Sequence, residues 1–389
     1  MRFKIQTLNN ISAKGLERLP RDRYEIASEM GHPDAILVRS ADMHAMQIPA
    51  SVLAVGRAGA GTNNIPVTLL SQRGVPVFTA PGANANAVKE LVLAGIFLAA
   101  RHICEAWDFV RGLELAGEAL ETAIEQAKRR FIGHELPGRT LGVVGLGAIG
   151  VEVANAAHLL GMRVLGYDPQ ITVQRAWQLS SGVEQALSLD DLFARSDAVS
   201  VHVPLTDETL GLVNARRLRH MQDGGTVLNF ARAGIVDEPA IVAALRSGKL
   251  GAYVCDFPSS TIRGVPGVVA LPHLGASTSE AEENCAMMVA DTLKDYLEHG
   301  NIRHSVNFPE AALPRVPATA RIAIANSNVP NMVGQISTRL AEAGLNIADL
   351  LNKSKGEVAY TLIDIDGKAP AGLVERIGTI QGVLSARVV

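Results

Sequence analysis

Four residues in one stretch have the types and spacing to hold a dinucleotide. Gly145, Gly147 and Gly150 form a G-x-G-x-x-G turn, and Asp168 lies 18 positions beyond the last glycine. Gly145 permits a tight turn. Gly147 lets the backbone approach a pyrophosphate with no side chain in the way, and Gly150 allows a helix to pack closely on a strand. The N-terminus of the following helix offers free N–H groups and a partial positive charge to the phosphates. Asp168 can accept hydrogen bonds from both ribose hydroxyls, and its charge repels a 2′-phosphate, which favours NAD over NADP.

Two arginines suggest an anion clamp. Arg39 ends LVRS and Arg57 lies in VGRAGAGTNN. Each follows a short apolar run, and ligands of open α/β sheets bind beyond the carboxyl ends of the strands. Two guanidiniums there can grip a carboxylate or phosphate by bidentate contact. The Gly59/Gly61 turn adds backbone N–H groups for the same anion. Further along, four apolar runs in series each end in a polar residue: His202 in HVPLT, Arg232 in NFARAGIVDE, Asp256 in DFP and His273 in PHLGAST. Their series implies one cleft that all four would face.

The elements that must position these groups are legible as alternating strands and helices. Leu141–Val144, the Ala-rich run Val151–Leu160 and Arg163–Tyr167 make a βαβ unit around the glycine turn. Before it, Phe3–Thr7, Ala35–Val38, Val52–Val55 and Val75–Phe78 read as strands, with a helix over Ile65–Arg73 and a long one over Asn86–Arg101. Such alternation indicates a parallel sheet covered by helices. Residues 102–139 read as a polar helical segment in which Glu114, Glu118, Glu121 and Glu125 form a solvated face. Strands over Asp197–Val203, Thr226–Phe230, Gly251–Cys255 and Val268–Leu271 extend the dinucleotide region. Pro309, Pro314 and Pro317 mark a linker. After it, strands at 321–325, 346–353, 358–364 and 383–388 alternate with helices at 331–343 and 371–378. That is the βαββαβ order of a ferredoxin-like unit.

Composition narrows the class. The 389 residues are 48% hydrophobic but only 4% aromatic, which suits an Ala/Val/Leu/Gly-rich α/β protein of two or three domains. A net charge of −3 gives no reason to expect nucleic acid or an anionic membrane as partner. No apolar run reaches a membrane span, and MRFKIQTLNN lacks the apolar core of a signal peptide. Cys104, Cys255 and Cys285 have no metal-ligand or disulfide spacing, so a reduced, cytoplasmic enzyme without a metal is expected.

The ordered motifs VGRAGAGTNNI, LGVVGLGAIG, HVPLT, NFARAGIVDE and PHLGAST resemble those of the D-isomer-specific 2-hydroxyacid dehydrogenases over essentially the whole chain. The resemblance implies two Rossmann-like doubly wound domains. A flavodoxin-like substrate domain would comprise residues 1–98 and 275–308, and an NAD-binding domain residues 99–274. It implies that His273 is the base that takes the hydroxyl proton while the hydride from C2 passes to the nicotinamide, and histidine is suited to that task near neutral pH. Arg232 would bind the substrate carboxylate and polarise the C2 oxygen, and Asp256 would hold the nicotinamide carboxamide. Cofactor contacts would extend to Ala148, Ile149, His202, Pro204, Ala231 and Gly275, and substrate contacts to Ser40, Ala58 and Gly59 beside Arg39 and Arg57. His202 also reads as a supporting residue. The implied substrate is 3-phospho-D-glycerate, oxidised on the way to L-serine. Another 2-hydroxy acid, or a non-catalytic NAD-sensing role, are the alternatives.

One departure concerns the base. The family has a glutamate between the aspartate and the histidine that orients the imidazole and raises its pKa. Between Asp256 and His273 this chain reads FPSSTIRGVPGVVALP, with no acid. Asp256 could take over, or Glu280 or Glu283 of the next helix could fold back, or the histidine works unassisted.

The last unit, residues 321–389 after a linker at 309–320, resembles the ACT regulatory domain. In such domains an amino acid binds between two copies, and Asn328 and Asn346 match ligand positions. Asn326 and Asn331 stand where relatives often carry His and Gly. The resemblance implies L-serine as effector and a homo-oligomer, dimer or tetramer.

Overall fold

The computed structural model describes residues 2–315 and 319–389; Pro317, one of the three linker prolines, lies outside the described residues. The chain divides into two compact units, Met1–Ala83 with Glu282–Val389, and Asn84–Ala281.

The first unit opens with a five-stranded parallel sheet of β1 (Phe3–Leu8), β2 (Tyr24–Ala27), β3 (Ala35–Val38), β4 (Ala54–Arg57) and β5 (Val77–Phe78), in the order β2-β1-β3-β4-β5. This is the flavodoxin-like order that the family resemblance implied. Strand β2 is absent from the sequence reading because YEIA is short, charged and at the edge, where burial does not impose an apolar run. Strands β4 and β5 each begin two residues later than the apolar runs suggest. The helix Ser279–His299 returns to this unit and buries Val289, Ala290, Leu293 and Leu297 in its core.

The second unit holds seven parallel strands: β6 (Thr140–Val144), β7 (Arg163–Tyr167), β8 (Val183–Gln185), β9 (Ala198–Val201), β10 (Gly225–Asn229), β11 (Leu250–Cys255) and β12 (Val268–Ala270). Their order, β12-β11-β10-β9-β6-β7-β8, is doubly wound, with its switch point between β6 and β9. Helices cover both faces, so the central strand β6 is buried along its whole length and reads TLGVV. The helix Ala85–Ala100 packs here through Val88, Val92 and Ile96, against Leu141, Val143 and Val254. It belongs by packing to the second unit from its first turn, ahead of the boundary at 98 expected from the sequence. The helices Ile103–Arg111 and Gly117–Ala127 follow it. They are not polar throughout: Ile103, Trp107, Val110 and Leu115 are exposed apolar residues on this segment.

The tail is a four-stranded antiparallel sheet of β13 (Thr319–Ser327), β14 (Ile347–Lys355), β15 (Val358–Asp366) and β16 (Val383–Val388), in the order β14-β15-β13-β16. With the helices Met332–Glu342 and Leu373–Gly378 it forms the ferredoxin-like βαββαβ unit. Asn331 has φ +62°, a left-handed conformation that Asn tolerates better than most residues. The period of two along β13 explains how the tail is held. Ile322 and Ile324 face the two helices with Ile336, Leu340 and Ile377. Ala323 and Ala325 face the other way and join Tyr360 and Leu362 against Phe78, Tyr296 and Phe308 of the first unit.

The segment expected as a free linker is therefore packed up to Arg315. Ile302 and Ala311 exchange backbone hydrogen bonds at 2.7 and 3.0 Å, and Ala311 is buried. Small apolar residues between the prolines make this burial possible. Arg321 and Asp364 form an ion pair with neither side chain exposed. The guanidinium donates to both carboxylate oxygens at 2.6 and 2.7 Å and to the carbonyls of His299, Leu313 and Pro314. All five of its N–H groups are thereby used, the condition for burying a charge without a large penalty.

Candidate active site

The dinucleotide turn has the geometry its glycines predict. Gly145 has φ +90° and donates its N–H to the Tyr167 carbonyl at 2.9 Å, tying β6 to β7. A Cβ on Gly150 would lie 1.8 Å from the Gly145 carbonyl oxygen, so only glycine fits. A Cβ on Gly147 would meet nothing within 4 Å. That open flank, at the start of the helix Ala148–Leu159, is where a pyrophosphate fits against the first helical N–H groups. Asp168 ends β7. Its carboxylate accepts Leu146 N–H at 2.8 Å and Gln170 N–H at 2.9 Å, which leaves oriented lone pairs for ribose hydroxyls.

His202 follows β9 and packs its backbone against Gly145, where a Cβ would come within 2.9 Å of the His202 carbonyl carbon. Its Nε2 lies 2.9 Å from Ser200 Oγ, while Nδ1 is shut off from solvent with no partner among the described residues. Burial lowers its pKa to about 4, so it is neutral at physiological pH. It supports the turn and carries no charge to a ligand. Pro204 lies two residues beyond, on the same loop.

The loop after β10 is built on Asn229, a residue that sequence reasoning missed. Its Nδ2 donates to the Arg232 carbonyl at 2.9 Å and its Oδ1 accepts Ala231 N–H at 3.2 Å. The signal was available as a lone Asn closing an apolar strand directly before the arginine motif. Arg232 is exposed, and its Nη1 donates to the Ala231 carbonyl at 2.7 Å.

Asp256 is 1% exposed. Its Oδ1 and Oδ2 accept the N–H groups of Leu274 and Gly275, each at 2.7 Å. The loop that carries His273 hangs from this carboxylate. His273 has φ +56° and is exposed, with its ring 4.8 Å from that of Phe257. His273 and Asp256 share an open hollow of about 680 Å³ with Phe257, Ser259 and Glu238.

Glu238 was also missed as a candidate. Its carboxylate accepts the Ser259 hydroxyl, which ties the first turn of the helix Glu238–Arg246 to the segment after Asp256. It was visible in the motif NFARAGIVDE but lies before Asp256, outside the stretch where the family acid is sought. Of the acids the sequence offered instead, Asp256 is committed to backbone amides. Glu283 belongs to the first unit and pairs with Lys14 at 2.7 Å, and Glu280 accepts the Ser279 hydroxyl at 3.1 Å.

In the first unit Arg39 and Arg57 stand at the carboxyl ends of the neighbouring strands β3 and β4. Arg57 Nε donates to the Arg39 carbonyl at 3.1 Å, and Asn64 Nδ2 donates to the same oxygen at 3.3 Å. Gly59 leaves room for the guanidinium: a Cβ there would be 2.8 Å from Arg57 Nη1. Ala58 is buried behind them, and Ser40 N–H donates to Asn9 Oδ1 at 3.3 Å. The structure thus brings Arg39, Ser40, Arg57, Ala58 and Gly59 together.

It does not bring Asn328 and Asn346 together. Asn328 donates to the Gly356 carbonyl at 3.0 Å, by the turn between β14 and β15. Asn346 precedes β14 at the other end of that hairpin, where its carbonyl accepts Asp366 N–H. The nine residues of β14 separate the ends, roughly 30 Å.

Comparison with known proteins agrees with the fold. Residues 93–275 match the family described as D-isomer specific 2-hydroxyacid dehydrogenase, NAD binding domain. The chain is 33% identical to D-3-phosphoglycerate dehydrogenase of Haemophilus influenzae, over 87% of this chain and 81% of that one. It is 35% identical to the protein of that name from Archaeoglobus fulgidus, over 78% of this chain and 58% of that one. Among solved structures, the NAD+-bound 3-phosphoglycerate dehydrogenase of Entamoeba histolytica superposes with a TM-score of 0.60 at 25% identity, covering 79% of this chain and 99% of that one.

Proposed function

We propose that this chain, which belongs to the D-isomer specific 2-hydroxyacid dehydrogenases, oxidises 3-phospho-D-glycerate to 3-phosphohydroxypyruvate with NAD, the opening step of L-serine synthesis. One observation carries the reading. The carboxyl ends of a single doubly wound sheet present the dinucleotide turn, Asp168, Arg232 and His273, in a chain about a third identical to dehydrogenases of that name.

NAD, when bound, supplies the acceptor for the C2 hydride. The chain's own residues do the rest. The turn at Gly145, Gly147 and Gly150, with Ala148 and Ile149 at the helix start, holds the pyrophosphate, and Asp168 holds the ribose and disfavours a 2′-phosphate. Pro204, Ala231 and Gly275 line the cofactor, while His202 and Asp256 act through the loops they support. His273 accepts the proton of the C2 hydroxyl on its free ring nitrogen. Arg232 binds the carboxylate and stabilises charge on the C2 oxygen. Arg39 and Arg57, with Ser40, Ala58 and Gly59, bind the substrate's remaining anionic group.

The same reading covers assembly and control. Residues 2–83 with 282–315 form the substrate unit, residues 84–281 the NAD unit, and the tail an L-serine-responsive ACT-like unit. The separation of Asn328 from Asn346 supports a ligand shared between two copies. Exposed Ile103, Trp107 and Val110 support a homo-oligomer, dimer or tetramer. Among the described residues no helix is long and apolar enough to cross a membrane, and a cytoplasmic location is proposed.

The test is NADH formation from 3-phospho-D-glycerate, with and without L-serine, by the intact protein and by His273→Ala. Turnover that is lost in the variant, with NAD binding kept, is expected. Turnover of a different 2-hydroxy acid alone would reassign the substrate. NAD binding without any turnover would make the protein a sensor.

A further inference from the structure

We infer that Glu282 is an internal competitor for the arginine clamp of the first unit and thereby sets its affinity for anionic ligands. The inference rests on the reading that Arg39 and Arg57 bind the substrate's anionic group, and it assigns a role to a residue outside that group.

The two arginines are held differently. Arg57 is locked through its Nε to the Arg39 carbonyl and through its guanidinium packing on Gly59. Arg39 is fixed by its backbone, but its guanidinium Nη2 donates to the carboxylate of Glu282. Glu282 lies in the first turn of the helix Ser279–His299, where the helix N-terminus also favours a negative charge. One turn further on, Cys285 is buried. Burial pushes its thiol pKa up, and the charges of both Arg39 and Arg57 act against that rise. Both guanidiniums therefore direct their field at the start of this helix, and the Glu282 carboxylate pairs with that of Arg39.

A glutamate carboxylate and a substrate carboxylate or phosphate make the same kind of contact with a guanidinium. An anion that uses Arg39 must displace Glu282 or share the guanidinium with it, against the repulsion of two like charges. The two side chains are 38% and 41% exposed, so the pair is screened and worth little in itself. That magnitude suits a residue that weakens anion binding by a modest factor and releases Arg39 readily. It does not suit a lock that shuts the site. Glu282 also cancels one of the two positive charges, so it penalises a dianion more than a monoanion.

The experiment is a calorimetric titration of the intact protein with inorganic phosphate, comparing wild type, Glu282→Gln, Arg39→Gln and the double variant, together with KM for 3-phospho-D-glycerate. Glutamine keeps the length and the hydrogen-bond acceptor while removing the charge. Glu282→Gln is expected to tighten phosphate binding and lower KM by roughly three- to fivefold. The gain should vanish when Arg39 is absent, which the double variant reads as coupling. Unchanged or weaker phosphate binding in Glu282→Gln overturns the inference, as does a gain that persists without Arg39. Absence of phosphate binding in every form overturns it too, because the arginines are then not an anion site. If wild type binds phosphate but does not turn over 3-phospho-D-glycerate, the proposed reaction fails while the phosphate series still decides the role of Glu282.

Discussion

His273 hangs from Asp256 by its backbone. The His273 N–H donates to the Asp256 carbonyl at 3.1 Å, and the Asp256 carboxylate takes the next two amides, of Leu274 and Gly275, at 2.7 Å each. The Asp256 carboxylate therefore fixes the path of the loop through its backbone amides. The ring itself is steadied by Phe257.

Asp256→Ala should accordingly damage structure and catalysis together. It leaves two amides without acceptors next to a buried site, at a cost of about 2–4 kcal/mol. The loss should appear in the urea midpoint, with kcat falling as the His273 loop loosens. A variant as stable and as active as wild type would show that the loop holds its shape without the carboxylate.

Asp168 should govern the choice of cofactor. Asp168→Ala removes the acceptor for the ribose hydroxyls and the charge that opposes a 2′-phosphate. Binding of NAD should weaken by about tenfold, the equivalent of one charge-assisted hydrogen bond, while NADP gains. Parallel fluorescence titrations with the two dinucleotides check this. An unchanged ratio of the two affinities would remove Asp168 from the ribose site.

His202 should make the fold sensitive to acid. Its ordinary pKa of 6.5 falls to about 4 in the folded state because burial disfavours the charged ring. Below pH 6.5 the unfolded chain takes up a proton that the folded chain refuses until about pH 4. Stability is thus fully present above pH 6.5 and declines as pH falls through this window, by at most about 3 kcal/mol. His202→Gln keeps an NH group near Ser200 and cannot titrate. Urea unfolding of the variant at several pH values should show a shallower decline, and an identical decline would assign the acid sensitivity elsewhere.

The Arg321–Asp364 pair should control docking of the tail. Either Arg321→Met or Asp364→Ala alone strands a buried charge, at a cost of about 3–5 kcal/mol. Arg321→Met with Asp364→Leu removes both charges and should recover much of that loss. Unfolding curves and protease sensitivity at the residues 301–315 segment read the effect. Single variants with wild-type stability would mean that water reaches the pair.

The amino-acid sequence alone determined the doubly wound sheets, the dinucleotide turn and the ferredoxin-like tail. These follow from local rules: apolar runs of strand length, glycines where a Cβ cannot fit, and helical spacing. Gly150, pressed on the Gly145 carbonyl, is legible because only one residue type satisfies that contact. Arg232, His273 and Asp168 stood out as candidates because each follows an apolar strand within three residues. The tertiary structure decided the partners. Asp256 proved also to be the buried anchor of a loop, because two amides some 18 residues away reach its carboxylate. Glu238 and Asn229 entered the site because β10 and β11 are neighbours in the sheet. Glu282 reached Arg39 across 243 residues of chain. The segment before the tail became packed structure as far as Arg315, as the second face of β13 is lined by alanines that fit against the first sheet's core. Periodicity identifies an apolar face, but which surface covers it, and which amide or guanidinium claims a carboxylate first, depends on chain segments that only folding brings within reach.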